Sequence, residues 1–157
     1  MLRMIVVPLD GSPFAERALP VAEALAAATG ADLALIRVVE VLAPGDREPG
    51  VLSYLDGHRT TVAQDYIDRM TMITRLGRPV TGEAYLASDV ATGIIARVRD
   101  VSADLIVMTL HGESWPIGTA LGSVAARLTR EVPCPLLVVG PNVATERMPA
   151  DRTDAAV

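Results

Sequence analysis

The chain has 157 residues, half of them hydrophobic, and a formal net charge of −5. That length suits one domain with a real hydrophobic core and is short for two. All 14 basic residues are arginine, so lysine-based phosphate binding and Schiff-base chemistry are excluded, and the acidic balance argues against general nucleic-acid affinity.

Residues 4–9 form a short apolar run closed by Asp10-Gly11-Ser12-Pro13, which predicts a strand followed by turn chemistry. Residues 15–29 place Leu19, Ala22, Leu25 and Ala26 at three- and four-residue spacing, the pattern of a helix with one buried face, and Gly30 stops it. Residues 31–39 predict a second strand without strict alternation. Over 41–57 the periodicity fails, Pro44-Gly45-Asp46 and Pro49-Gly50 punctuate the chain, and an exposed excursion near the ligand end is expected. A helix is expected over 60–76 through Val62, Tyr66, Ile67, Met70 and Ile73. An alternating strand nearer the sheet edge follows over 80–86, and then a helix over 89–99 that Ser88 is positioned to cap. Strands over 105–108 and 136–139 bracket a glycine-containing turn and a helix whose first residues include Gly122 and Ser123. From Pro141 the chain is polar, charged and proline-bearing, and disorder is expected.

Apolar strands separated by amphipathic helices predict one doubly wound α/β unit over residues 1–140, with 141–157 as a tail. The expected sheet has five mainly parallel strands in the order 3-2-1-4-5, covered by helices on both faces. Ligands of such sheets bind beyond the carboxyl ends of the strands, where the strand order reverses. Asp10, the region of Val41 and the turn over 109–112 all fall at carboxyl ends, so three separated segments converge on one rim.

Each candidate carries two readings. Asp10 either meets a ligand or closes an Asx-turn before the helix after Pro13. Gly112 either permits close backbone approach or is an ordinary turn glycine. Gly122 and Ser123 either offer an N–H and a hydroxyl to an anion at a helix start, or serve packing and capping. His111 is a ligand contact or weak base, or else structural, and His58 reads as structural or solvent-facing. Trp115-Pro116 shields a ligand or packs on a partner subunit. The two histidines, with neither C-x-x-C nor H-E-x-x-H, do not form a metal site, and no Walker-type G-K-[ST] or nucleophile elbow is present. No catalytic residue is expected. Cys134, between Pro133 and Pro135, reads as a buried thiol, and as the sole cysteine it cannot form an intrachain disulfide. The opening residues lack the regions of a signal peptide, and no apolar run approaches the ~20 residues that span a bilayer, so a cytoplasmic protein without membrane partners is expected.

From about residue 4 to 140 the chain resembles the universal stress protein family. V-V-P-L-D-G-S matches the family's opening strand and acidic turn, and V-P-C-P-L-L-V-V its ending. H-G-E-S-W-P-I-G-T-A-L-G-S supplies Gly112, nine intervening residues, then Gly122 and Ser123. These match the later part of a signature of glycine, two residues, glycine, nine residues, and glycine with Ser or Thr. Thr109 stands where the first glycine belongs; it adds bulk and restricts the backbone, though its hydroxyl can meet a ribose or phosphate oxygen.

The resemblance implies binding of ATP or a related adenine nucleotide, as a sensor or regulatory module in the stress response. Adenine would lie between the ends of the first two strands, touched by the main chain at Val41, with Val39 as competitor. Asp10 would face the ribose. The phosphates, with Mg2+, would lie over Thr109, His111, Gly112, Gly122 and Ser123, and binding would order the loop over 114–119. Any ATPase activity would be slow, below about 1 per second, because no lysine or arranged base is visible. The resemblance also implies a homodimer through the final strand, whose L-L-V-V edge is hazardous uncovered. The alternative is a dimeric signalling protein of the same fold that does not bind nucleotide, with Thr109 as its evidence.

Overall fold

Ten elements alternate between strand and helix in a computed structural model that describes residues 1–43, 45, 48–74, 76–110, 122–140 and 143. They are β1 (Met4–Pro8), α1 (Pro13–Glu16), α2 (Ala18–Thr29), β2 (Asp32–Glu40), α3 (Pro49–Ile73), β3 (Val80–Ala87), α4 (Val90–Asp100), β4 (Leu105–Thr109), α5 (Ser123–Glu131) and β5 (Leu136–Val139). The strands form one sheet in the order β3-β2-β1-β4-β5, every neighbouring pair parallel, as the sequence predicts.

Strand side chains alternate between two separate cores, which is why these strands read as unbroken apolar runs. Ile5, Val7, Leu33, Leu35 and Val107 pack on one face against Leu19, Ala22 and Ile67 of α2 and α3. Val6, Ala34, Ile36 and Ile106 pack on the other against Ile94, Val98 and Leu128 of α4 and α5. Each fully buried aliphatic side chain contributes about 1.5–3 kcal/mol relative to exposure.

Three local readings are corrected by the structure. The helix expected over 15–29 is two helices, α1 and α2, separated at Arg17. Pro20 has no N–H to offer the carbonyl four residues back, so the helix is interrupted and restarts with the proline in its first turn. The excursion expected over 41–57 ends early, because α3 begins at Pro49 and runs 25 residues to Ile73. Pro49 occupies the first helical turn, where its missing N–H costs nothing, and Gly50 and Gly57 are carried inside the helix. The helix over 89–99 is capped by Asp89 instead of Ser88: the cap must immediately precede the first helical residue, here Val90.

Asp89 is held by a small network. Its Oδ1 accepts from the Thr92 amide at 2.9 Å and its Oδ2 from the Thr92 hydroxyl at 2.6 Å, while Arg127 of α5 donates to Oδ1 at 2.7 Å. The Thr92 hydroxyl and amide, then Arg127, favour the charged carboxylate and lower its pKa from the ordinary 3.8 to about 2. A lowered folded-state pKa means that the group's contribution is complete above 3.8 and is lost as pH falls toward about 2. Asp89→Asn is therefore expected to flatten the acid limb of a plot of urea midpoint against pH over that interval. An unchanged limb would contradict the role assigned to this cap.

Candidate functional site

The order of the strands reverses at β1, whose neighbours β2 and β4 lead away on opposite sides. A crevice must open there, since the segments leaving β1 and β4 depart to opposite faces. The structure has a cleft of about 760 Å³ at this point, bounded by the carboxyl ends of β1, β2 and β4 and by the start of α5. Small-molecule sites occupy roughly 300–1,000 Å³.

On the β1 side the turn is rigid. Asp10 Oδ1 accepts from the Ser12 amide at 2.8 Å and from the Ser12 hydroxyl at 2.6 Å, and Ser12 Oγ accepts in turn from the Ala15 amide at 3.2 Å, capping α1. Asp10 thus closes an Asx-turn, and it also lines the cleft. Gly11 between them has φ +92°, a region that strains any side chain.

On the β4 side, Thr109 ends the strand opposite Val139 and lines the cleft. The Gly122 amide donates to the Leu110 carbonyl at 3.3 Å, which folds the start of α5 back onto the end of β4. A Cβ at position 122 would lie 2.9 Å from that same carbonyl oxygen, so the close approach requires glycine. Gly122 is the N-cap and offers no side-chain hydrogen bond to the helix start. The first amides of α5 have no partner inside the helix, and with the Ser123 hydroxyl they form an anion-accepting end on the cleft wall.

Asp10, Thr109, Gly122 and Ser123 are therefore brought together. Val41 is not: its amide donates to the Ala87 carbonyl at 2.9 Å, its side chain is exposed, and it stands outside the lining. β2 pairs with β1 only as far as Pro8 and Ile36, so the residues level with the mouth of the cleft are Val38 and Val39, which do line it. His111 and Gly112 lie outside the described residues, as do Trp115-Pro116, the loop over 114–119 and the tail residues 141, 142 and 144–157.

Four ionisable residues lining the cleft were not singled out as site residues by sequence: Arg37, Glu40, His58 and Arg59. Arg59 bonds to the Glu40 carbonyl at 2.8 Å and to Asp56 at 3.2 Å, tying α3 to the end of β2. His58, read as structural or solvent-facing, reaches the cleft because α3 starts earlier than its periodicity indicates. Arg37 has its Cζ 5.1 Å above the Tyr66 ring, and the Tyr66 hydroxyl donates to Glu16 at 3.1 Å. Burial, reinforced by Glu16, raises the Tyr66 pKa and keeps the phenol neutral. Among the described residues no group of three or more His, Cys, Asp and Glu is arranged to hold a metal ion, and no helix is long and apolar enough to cross a membrane.

A parallel, doubly wound sheet with an open crevice at its strand-order reversal, an acidic turn on one wall and an uncapped helix start on another, places the chain among the doubly wound α/β proteins. The chain belongs to the universal stress protein family, whose family model matches residues 1–140. It is 30% identical over 139 residues to a universal stress protein of Thermus aquaticus encoded in the QAH/OAS sulfhydrylase 3′ region, covering 88% of this chain and 99% of that one. Among solved structures it is similar to the universal stress protein UspA from Lactobacillus plantarum, with a TM-score of 0.77, 25% identity, and coverage of 88% and 97% of the two chains. It shares the fold of the Archaeoglobus fulgidus universal stress protein in complex with dAMP, at a TM-score of 0.51 and 19% identity, with 88% and 97% of the chains covered.

Proposed function

We propose that this protein binds an adenine nucleotide as a sensor or regulatory module in the stress response. The observation that carries the reading is the convergence of Asp10, Thr109, Gly122 and Ser123 on one cleft of about 760 Å³. Other universal stress proteins of this fold, solved in complex with cAMP, dAMP and AMP, support it.

In this reading the ribose hydroxyls donate to Asp10 and the phosphates lie against the first turn of α5 and the Ser123 hydroxyl. The adenine rests by Val38 and Val39 at the end of β2, in place of Val41. Thr109 meets the ribose or phosphate through its hydroxyl. ATP would bring Mg2+ on its own phosphates. His111 and Gly112, outside the described residues, keep in this proposal the phosphate contacts that the family resemblance implies. With no lysine in the chain, hydrolysis is slow in this reading and the bound state is the signal. The same proposal includes a cytoplasmic homodimer through β5, which lies at the sheet edge with Leu137 37% exposed.

A ligand that binds only the folded state at 100 times its Kd stabilises it by about 2.7 kcal/mol. Saturating ATP with magnesium is accordingly expected to raise the Tm of nucleotide-stripped protein by several degrees. The absence of a shift with ATP, ADP, AMP and cAMP would favour the second reading, a dimeric signalling protein that does not bind nucleotide. Thr109, at the cleft wall, is the residue that favours it.

A further inference from the structure

Arg37 is the one basic residue in β2, two positions past Leu35 and on the same face as Leu33 and Leu35, whose side chains are completely buried. A cation at the border of an apolar core is disfavoured unless a partner compensates it. The other arginine of the cleft, Arg59, has Asp56 and the Glu40 carbonyl. Arg37 has neither an ion pair nor a hydrogen bond among the described residues.

Its orientation is nonetheless fixed. The Cζ stands over the Tyr66 ring, and the place a Cβ would take on Gly11 is 3.1 Å from each of Cζ, Nη1 and Nη2. A point equally far from those three atoms at that range can only lie above the guanidinium plane. The glycine backbone thus packs on a flat surface of the guanidinium, with the Tyr66 ring beside its Cζ, and the N–H groups, without a hydrogen bond among the described residues, remain to bind. Those groups are the part of arginine that matches the oxygens of a phosphate, two bonds at a time.

Arg37 belongs to β2, Asp10 follows β1, and Gly122 and Ser123 follow β4, and in the sheet β1 lies between β2 and β4. The β2 and β4 backbones lie two strand spacings, about 10 Å, apart, and Arg37 is on the sheet face covered by α2 and α3 whereas α5 covers the other, so the two positive groups enter the cleft from opposite faces. Asp10, suited to sugar hydroxyls, lies between them. We propose that Arg37 forms a second anion subsite, and that the preferred ligand is an adenine nucleotide carrying a phosphate on its ribose in addition to the 5′-phosphate at α5. This rests on the nucleotide reading of the cleft given above.

The test is isothermal titration of wild type and Arg37→Gln, each checked for folding by circular dichroism, with AMP, adenosine 2′,5′-bisphosphate and adenosine 3′,5′-bisphosphate. Wild type is expected to bind at least one bisphosphate about tenfold or more tighter than AMP, the worth of a charge-assisted hydrogen-bond pair. In Arg37→Gln that advantage is expected to vanish while AMP affinity is largely kept. AMP binding with no bisphosphate advantage in wild type would overturn the subsite and leave the nucleotide reading intact; this comparison needs no variant. An advantage that survives Arg37→Gln would overturn it equally. Failure of all three ligands to bind would overturn the subsite, and failure of ATP with magnesium in the same titration would remove the nucleotide reading as well.

Discussion

Gly122→Val is expected to lower adenine-nucleotide affinity by at least about tenfold, or 1.4 kcal/mol, while the protein remains folded. The backbone at this position, φ −57° and ψ 153°, is open to any residue, so the penalty comes from space. A Cβ would stand 2.9 Å from the Leu110 carbonyl oxygen. That oxygen belongs to the backbone at the end of β4 and has no side-chain freedom with which to move aside. The start of α5 must swing away, and with it the amides and the Ser123 hydroxyl that face the cleft. Overpacking of this kind costs about 1–3 kcal/mol of stability, which a urea midpoint will register separately from the titration. Unchanged affinity in a folded Gly122→Val protein would mean that the helix start is not the phosphate site.

Ile106→Ala is expected to lower stability by about 2–5 kcal/mol through lost burial and the cavity left behind. Ile106 is 0% exposed in β4, paired with Val6 on one side and Leu136 on the other. Its side chain belongs to the core shared with Ile94 and Leu128, so α4, α5 and the sheet all lose contact at once. In a chain of this size the Tm should fall by roughly 5–15 °C, with the denaturant slope unchanged. A loss below about 1 kcal/mol would mean that the core had collapsed into the gap or is packed otherwise than described. Leu137, exposed at the open edge of β5, provides the contrast. Leu137→Ala should be nearly neutral in the isolated chain, and a loss that grew with protein concentration would point to a partner on that edge.

The sheet was legible because its strands are buried on both faces: runs such as M-I-V-V-P and D-L-A-L-I-R-V-V-E leave little room for a helical period. The first turns of α3 were hidden for the opposite reason. Val51 and Tyr54 are 47% and 73% exposed, so no buried face develops there, and Gly50 and Gly57 argue locally for a loop. His58 and Arg59 were missed with them. Asp10, Thr109, Gly122 and Ser123 could be brought to one rim from order alone, because parallel strands put all their following turns at the same end. How far each strand projects was not in that logic: β2 outruns β1, which carries Val41 past the mouth of the cleft and leaves Val38 and Val39 level with it. Arg37 did leave a signal, a lone charge inside an apolar strand. Its significance depends on Gly11 and Tyr66, whose proximity only the fold provides.

The most direct test is isothermal titration of freshly purified, nucleotide-stripped protein with ATP and magnesium, the small molecules released on stripping being identified by mass spectrometry. Saturable binding near micromolar affinity, about −8 kcal/mol, with adenine nucleotide among the released molecules, is the predicted result. No heat at any reachable concentration and no co-purified nucleotide would contradict it, and would make the β5 edge the place to seek this protein's function.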